Sequence, residues 1–257
     1  MTLLITLATK SGIVMGADSK ISMWDPKKKV FTSDRSYATK IIAIEDHHMA
    51  VSFWGLLDIH LKNNTGTIRR HLIDNIFKNF SASLSKDDDV DTVSEKFRDY
   101  LNKTVDFSKL SDFPFGVHMA GYISENGTKK PKIRHVCLSP GDNKDPNQQD
   151  ISKFKSNDES NNCSEPPYAM VFNGFYYIVN ALVNWIRLYH SDIYSMFTPQ
   201  KMNIGQAISL TKYLINITKG FQTYVRAPKL VGGSVKILAI NERGQFSWHN
   251  QESNLFK

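Results

Sequence analysis

Cysteine is scarce in this chain of 257 residues: Cys137 and Cys163 are the only two. Two thiols cannot build a disulfide framework or a four-ligand zinc cage, and such sparing use fits a reducing, cytoplasmic setting. No run approaches the roughly 20 consecutive apolar residues that a membrane helix needs, so no membrane partner is expected. The opening, MTLLITLATK, lacks the basic start and small-residue cleavage site of a secretory signal. There is no internal repeat and no convincing linker, which leaves a single domain over residues 1–257. Acidic residues are outnumbered, 25 against 32 Lys plus Arg, for a net charge of +7. The surplus gathers in Lys27, Lys28 and Lys29 and in Lys129, Lys130 and Lys132. Neither run sits on a helix with interleaved aromatics, so both read as solvated loops rather than a nucleic-acid surface.

What is present is ordinary globular material, 41% apolar and 22% charged, which excludes wholesale disorder. Leu3 to Ala8 and Ile13 to Ala17 are short β-branched runs around Thr9-Lys10-Ser11-Gly12, a hairpin signal. Neither run alternates, which predicts strands covered on both faces. Lys40 to Ile44 and Met49 to Phe53 read as a second hairpin. After Gly55 the period changes: Leu56, Leu57, His60, Leu61, Ile68, Leu72, Ile76 and Phe80 predict helix, interrupted near 63–66, and 90–105 predicts another. Phe115 to Ile123 and Ile133 to Leu138 form a hairpin around Asn126-Gly127. Residues 141–167 are polar throughout and read as a mobile insertion. A strand over 168–172, helices over 175–193 and 203–218, and a strand over 231–240 complete the chain. Strands and helices in segregated blocks predict an α+β fold of stacked sheets with helices outside.

Metal and cofactor chemistry finds little support, and neither is expected. His47 and His48 are adjacent, so on a strand they point to opposite faces. Asp87-Asp88-Asp89 lacks calcium-loop spacing and reads as a charge run at a helix N-terminus. Gly232-Gly233 is not part of a phosphate-binding loop. Phe175, Tyr176, Tyr177 and Trp185 read as helix-packing residues rather than a base-stacking platform.

The first hairpin carries the sharpest signal. Its turn centres near Lys10-Ser11, so paired residues sum to about 21. That register sets Thr2 beside Asp18, although a strand-opening threonine and a strand-closing aspartate would look the same. Threonine is also small enough for an initiator methionine before it to be removed. A terminal threonine offers a hydroxyl and an α-amine of pKa about 8 on one residue, and the amine can activate the hydroxyl as a nucleophile.

The run Thr2 to Asp18 resembles the opening of proteasome β-type subunits and their bacterial relatives, the N-terminal-nucleophile hydrolases. Lys40-Ile-Ile-Ala-Ile-Glu-Asp, Phe53-Trp54-Gly55-Leu56-Leu57-Asp58, Gly116 to Gly127 and Val231 to Gly244 resemble later family segments in order. The resemblance implies a four-layer αββα sandwich and a threonine peptidase or amide hydrolase. Its nucleophile falls on Thr2, its aspartate on Asp18, its lysine on Lys40 and its oxyanion-hole amide on Gly55. It also implies peptide or protein substrates, a homo-oligomeric ring or stacked assembly, and leaves an ATPase partner open. The chain further lacks the N-terminal helical extension of α-type subunits.

Departures point the other way. Asn173 stands where active members usually carry serine, and Pro228 and Val231 stand where they carry aspartate and serine. Trp54 takes a place normally held by a small residue, where an indole would restrict or block substrate. The alternative reading is therefore a catalytically inactive subunit with a structural or interaction role.

Overall fold

A computed structural model describes residues 2–25, 30–55, 58–61, 70–105, 115–138, 168–196, 198–224 and 229–250. The polar segment 141–167, expected to be a mobile insertion, lies outside the described residues, as does Pro228. In chain order the strands are β1 (Leu3–Thr9), β2 (Gly12–Asp18), β3 (Lys20–Asp25), β4 (Val30–Tyr37), β5 (Ile41–Ile44), β6 (Met49–Trp54), β7 (Asp58–His60), β8 (Arg70–Leu72), β9 (Phe115–Glu125), β10 (Thr128–Leu138), β11 (Ala169–Gly174), β12 (Val235–Asn241) and β13 (Phe246–Trp248). The helices are α1 (Ile73–Ser81), α2 (Val90–Thr104), α3 (Tyr177–Tyr189), α4 (Ser191–Met196) and α5 (Ile204–Phe221).

These elements make a mixed α and β fold around two antiparallel sheets. One has the order β11-β1-β2-β12-β13 and the other β10-β9-β6-β5. The β1–β2 hairpin takes the register its turn predicts, with Leu4 opposite Ala17 and Thr9 opposite Gly12. Every residue of both strands is buried, which explains the missing alternation. The β9–β10 hairpin turns at Asn126-Gly127, both with positive φ, as a two-residue hairpin loop requires.

Three apolar clusters organise the core. Leu4, Ile13, Met15, Ile41, Ala50, Trp54, Ala120 and Leu238 bring residues of both sheets together. On the β6–β9 side, Val51, Phe53, Val117 and Met119 pack with Ile76, Phe77, Phe80, Val93 and Phe97 of α1 and α2. The Phe77 and Phe97 rings meet edge-on at 5.0 Å, a geometry aromatic pairs favour. On the β1–β2 side, Ile5, Val14 and Ile237 pack with Val179 of α3 and Leu214 and Ile215 of α5. Asp89 caps α2 by accepting the Thr92 N–H at 2.8 Å, and Asn203 and Gln206 form a capping box on α5.

Some sequence expectations fail locally. Among the described residues, the stretch read as helix after Gly55 is helical only from Ile73. Asp58–His60 instead pairs with Arg70–Leu72 as a two-stranded ribbon, and Leu61 bridges to Val105. Three-residue strands are too short to show a period of two. The real helical stripe is Ile73, Ile76, Phe77 and Phe80. A second ribbon pairs β3 with β4. The helix read over 175–193 breaks at His190, whose φ of −141° is not helical. Tyr177 and Trp185, read as packing residues, are exposed. His47 and His48 bond separate carbonyls, those of Asp88 and Gly244.

Helix α5 crosses β2 closely at Gly16. A Cβ there would stand 2.2 Å from Cγ2 of Thr211. Gly16→Ala should therefore lower stability by about 1–3 kcal/mol through overpacking. Thr211→Ala, which removes both that methyl and a buried hydroxyl without a partner, should recover most of the loss. Urea titrations of the two single variants and the double variant would show the non-additivity.

Candidate active site

The carboxylate of Asp18 ends β2 and is fully buried. Four donors converge on it. Oδ1 accepts the Leu3 N–H at 2.9 Å and Lys40 Nζ at 3.1 Å. Oδ2 accepts the Gly232 N–H at 3.0 Å and the Lys20 N–H at 3.3 Å. An isolated buried charge would be prohibitive, and this one is met by a counter-ion and three amides.

Lys40 immediately precedes β5 and is 1% exposed. Its ammonium also donates to the Lys20 carbonyl at 2.6 Å. Burial lowers its pKa from the ordinary lysine value, against the opposing pull of Asp18. The backbone of Lys40 is fixed as well, since its carbonyl accepts the Phe53 N–H at 2.9 Å. Gly55 lies two residues beyond Phe53, after the end of β6, with φ of +84°. That left-handed backbone favours glycine.

Thr2 is buried directly before β1, and its carbonyl accepts the Phe175 N–H at 2.7 Å. Its own peptide link to Leu3 supplies one of the donors on Asp18. Gly174 passes so close that a Cβ would overlap the Thr2 carbonyl oxygen at 1.7 Å. So the Leu3 amide, adjoining Thr2, and the Lys40 ammonium meet on the Asp18 carboxylate, and Gly55 follows the strand that anchors Lys40.

Trp54 behaves differently from expectation. Its indole turns inward between the sheets, covers Gly116 and donates from Nε1 to His135 Nε2 at 3.1 Å. Gly116 leaves the space that accommodates it. Asn173, opposite Leu4 in the β1–β11 register, does hydrogen-bond: its Oδ1 lies 2.5 Å from His118 Nε2. With Nε2 as donor, Nδ1 is the acceptor for the Thr6 hydroxyl at 2.9 Å. Val231 packs into the apolar cluster beneath α3 and α5 and offers no hydroxyl.

Several of these groups were not singled out from sequence. His118 had one signal, a lone imidazole in an otherwise apolar strand. Gln222 had none, lying just past α5, yet its Oε1 accepts the N–H groups of Leu230 and Val231 at 2.6 and 3.1 Å. Lys219 adds a bond to the Gly233 carbonyl at 2.7 Å.

Two measurements follow. Lys40→Met leaves the Asp18 charge buried without its counter-ion and should cost about 3–5 kcal/mol. The Asp18→Asn/Lys40→Met pair should cost less than the sum of the singles in urea titrations. The second concerns His118, whose pKa burial lowers to about 4 from 6.5. Between those values the unfolded chain binds the proton and the folded chain does not. The stabilisation is thus complete above pH 6.5 and is lost as pH falls toward 4, by about 3 kcal/mol in all. His118→Gln should flatten that part of the stability–pH profile by this amount.

No protein-family model matches the sequence, and no curated protein matches it. Solved structures do. Anbu, an ancestral β-subunit, from Yersinia bercovieri superposes with a TM-score of 0.57 at 10% identity, covering 98% of this chain and 88% of that one. An Anbu (Gly-1) mutant from Hyphomicrobium sp. strain MC1 gives 0.50 at 9% identity, covering 99% and 88%. At such identity the likeness is one of fold alone.

Proposed function

We propose that the chain is a threonine-type N-terminal-nucleophile hydrolase of peptide or other amide bonds. The observation that carries this reading is the convergence of the Leu3 N–H and the Lys40 ammonium on one buried oxygen of Asp18, next to Thr2. In this scheme Met1 is removed and the α-amine of Thr2 takes the hydroxyl proton as Oγ attacks the carbonyl carbon. The Lys40 ammonium disfavours a protonated amine nearby, which keeps the amine a proton acceptor near neutrality. The Gly55 N–H receives the developing oxyanion. Collapse of the tetrahedral intermediate breaks the C–N bond, and the amine returns its proton to the leaving nitrogen. Water, deprotonated by the same amine, then hydrolyses the ester. Asp18 holds Lys40 and the start of β1 in place.

The wider assignment follows the same reading: a single-domain, four-layer αββα subunit in a cytoplasmic homo-oligomer. The likeness to Anbu supports a proteasome-like subunit, and the packing of α1 and α2 on one sheet and α3 and α5 on the other supports the layering. Among the described residues no helix is long and apolar enough to cross a membrane. One observation favours an inactive subunit instead: Val231 brings a buried aliphatic side chain where active relatives carry serine.

Intact-mass analysis of native protein, followed by an electrophilic threonine-reactive probe, tests the proposal. Loss of Met1 and a single adduct, absent in Thr2→Ala, is the expected result. Retained Met1 with no adduct overturns it and leaves the inactive subunit.

A further inference from the structure

The loop after α5 approaches Asp18 with its backbone alone. The Gly232 N–H reaches Oδ2 at 3.0 Å, and the Gly232 carbonyl accepts the Lys20 N–H at 3.2 Å. A loop amide aims at a carboxylate only if the residues on both sides of it are held. On one side, Oε1 of Gln222 takes the N–H groups of Leu230 and Val231 together. Gln222 is 4% exposed, and its Nε2 is bound in turn to the Thr218 carbonyl at 3.2 Å, so the carboxamide cannot rotate freely. On the other side, Lys219 holds the Gly233 carbonyl. Both grips come from the end of one helix, three residues apart, and so lie on the same helical face. Lys20 adds a third contact, from Nζ to the Lys229 carbonyl at 2.5 Å.

We infer that Gln222 is a positioning residue for the Asp18–Lys40 pair, with Lys219 as its partner. The two clamp residues 230–233 so that the Gly232 amide stays on the carboxylate. This role rests on the proposed hydrolase for its kinetic consequence but not for its structural one. Lys40 is held by the other oxygen, Oδ1, of the same carboxylate, so slackening the loop frees a side chain whose direction fixes the lysine.

The test compares Gln222→Leu, which deletes the acceptor, with Gln222→Glu, which keeps one. Hydrogen exchange followed by mass spectrometry on the full chain reads residues 229–234 against the β12 segment 235–241. Exchange in 229–234 should accelerate by about tenfold or more in Gln222→Leu, remain slow in Gln222→Glu, and leave 235–241 unchanged. Thr2 labelling should slow by about tenfold in Gln222→Leu and be restored in Gln222→Glu, the worth of one charge-assisted hydrogen bond. Equal exchange in all three proteins overturns the inference, as does global acceleration that includes 235–241. If no protein labels at Thr2, the hydrolase proposal fails, while the exchange comparison still decides the role of Gln222.

Discussion

A buried ion pair is an expensive thing to place inside a protein, and the Asp18–Lys40 pair sets the terms for much around it. Neither side chain has appreciable contact with water. Mutual attraction in a poorly polarisable interior offsets desolvation only when the remaining hydrogen-bonding capacity is also met. Here that requirement recruits the start of β1, the residues following β2, the residue before β5 and the loop before β12. Parts of the chain more than 200 residues apart in sequence are thereby fixed against a single carboxylate. The proposed hydrolase needs such rigidity, because misplacement by about an ångström costs a large factor in rate.

The second polar feature lies between the sheets. Thr6, His118, His135, Asn173 and the Trp54 indole share an interior otherwise lined by aliphatic residues. Burial holds the pKa values of both histidines down, His135 well below the ordinary value, which suits neutral imidazoles that donate from one nitrogen and accept at the other. The arrangement explains two apparent defects of the sequence. Asn173 is bound to an imidazole rather than left idle, and Trp54 fills space that Gly116 vacates. Val231 is a defect of another kind. Its side chain belongs to the helix-facing core, and its backbone amide takes the structural role.

Legibility in the sequence followed the range of the interaction. The β1–β2 register could be read because a short turn with fixed geometry determines it, and Thr2 beside Asp18 came with it. The β9–β10 hairpin was readable from Asn126-Gly127 for the same reason. Lys40 was different, since nothing local brings it to Asp18, and only resemblance to a family suggested it. Gln222 and Lys219 were invisible, because their partners are backbone groups that any sequence offers. Residues 58–72 misled, since scattered leucines and isoleucines mimic a helical stripe where tertiary pairing makes two short strands. Trp54 misled through its size, as the room for its indole comes from Gly116 on the neighbouring strand.

The wide sequence span of the donors on Asp18 bears on synthesis at the ribosome. Residues 18 and 40 emerge early, but the amide at 232 follows Asp18 by 214 residues. Until then the carboxylate lacks one of its four donors. The full set of donors on Asp18 is therefore completed late in synthesis, and a product that stops short of residue 232 would carry the threonine and the aspartate without it.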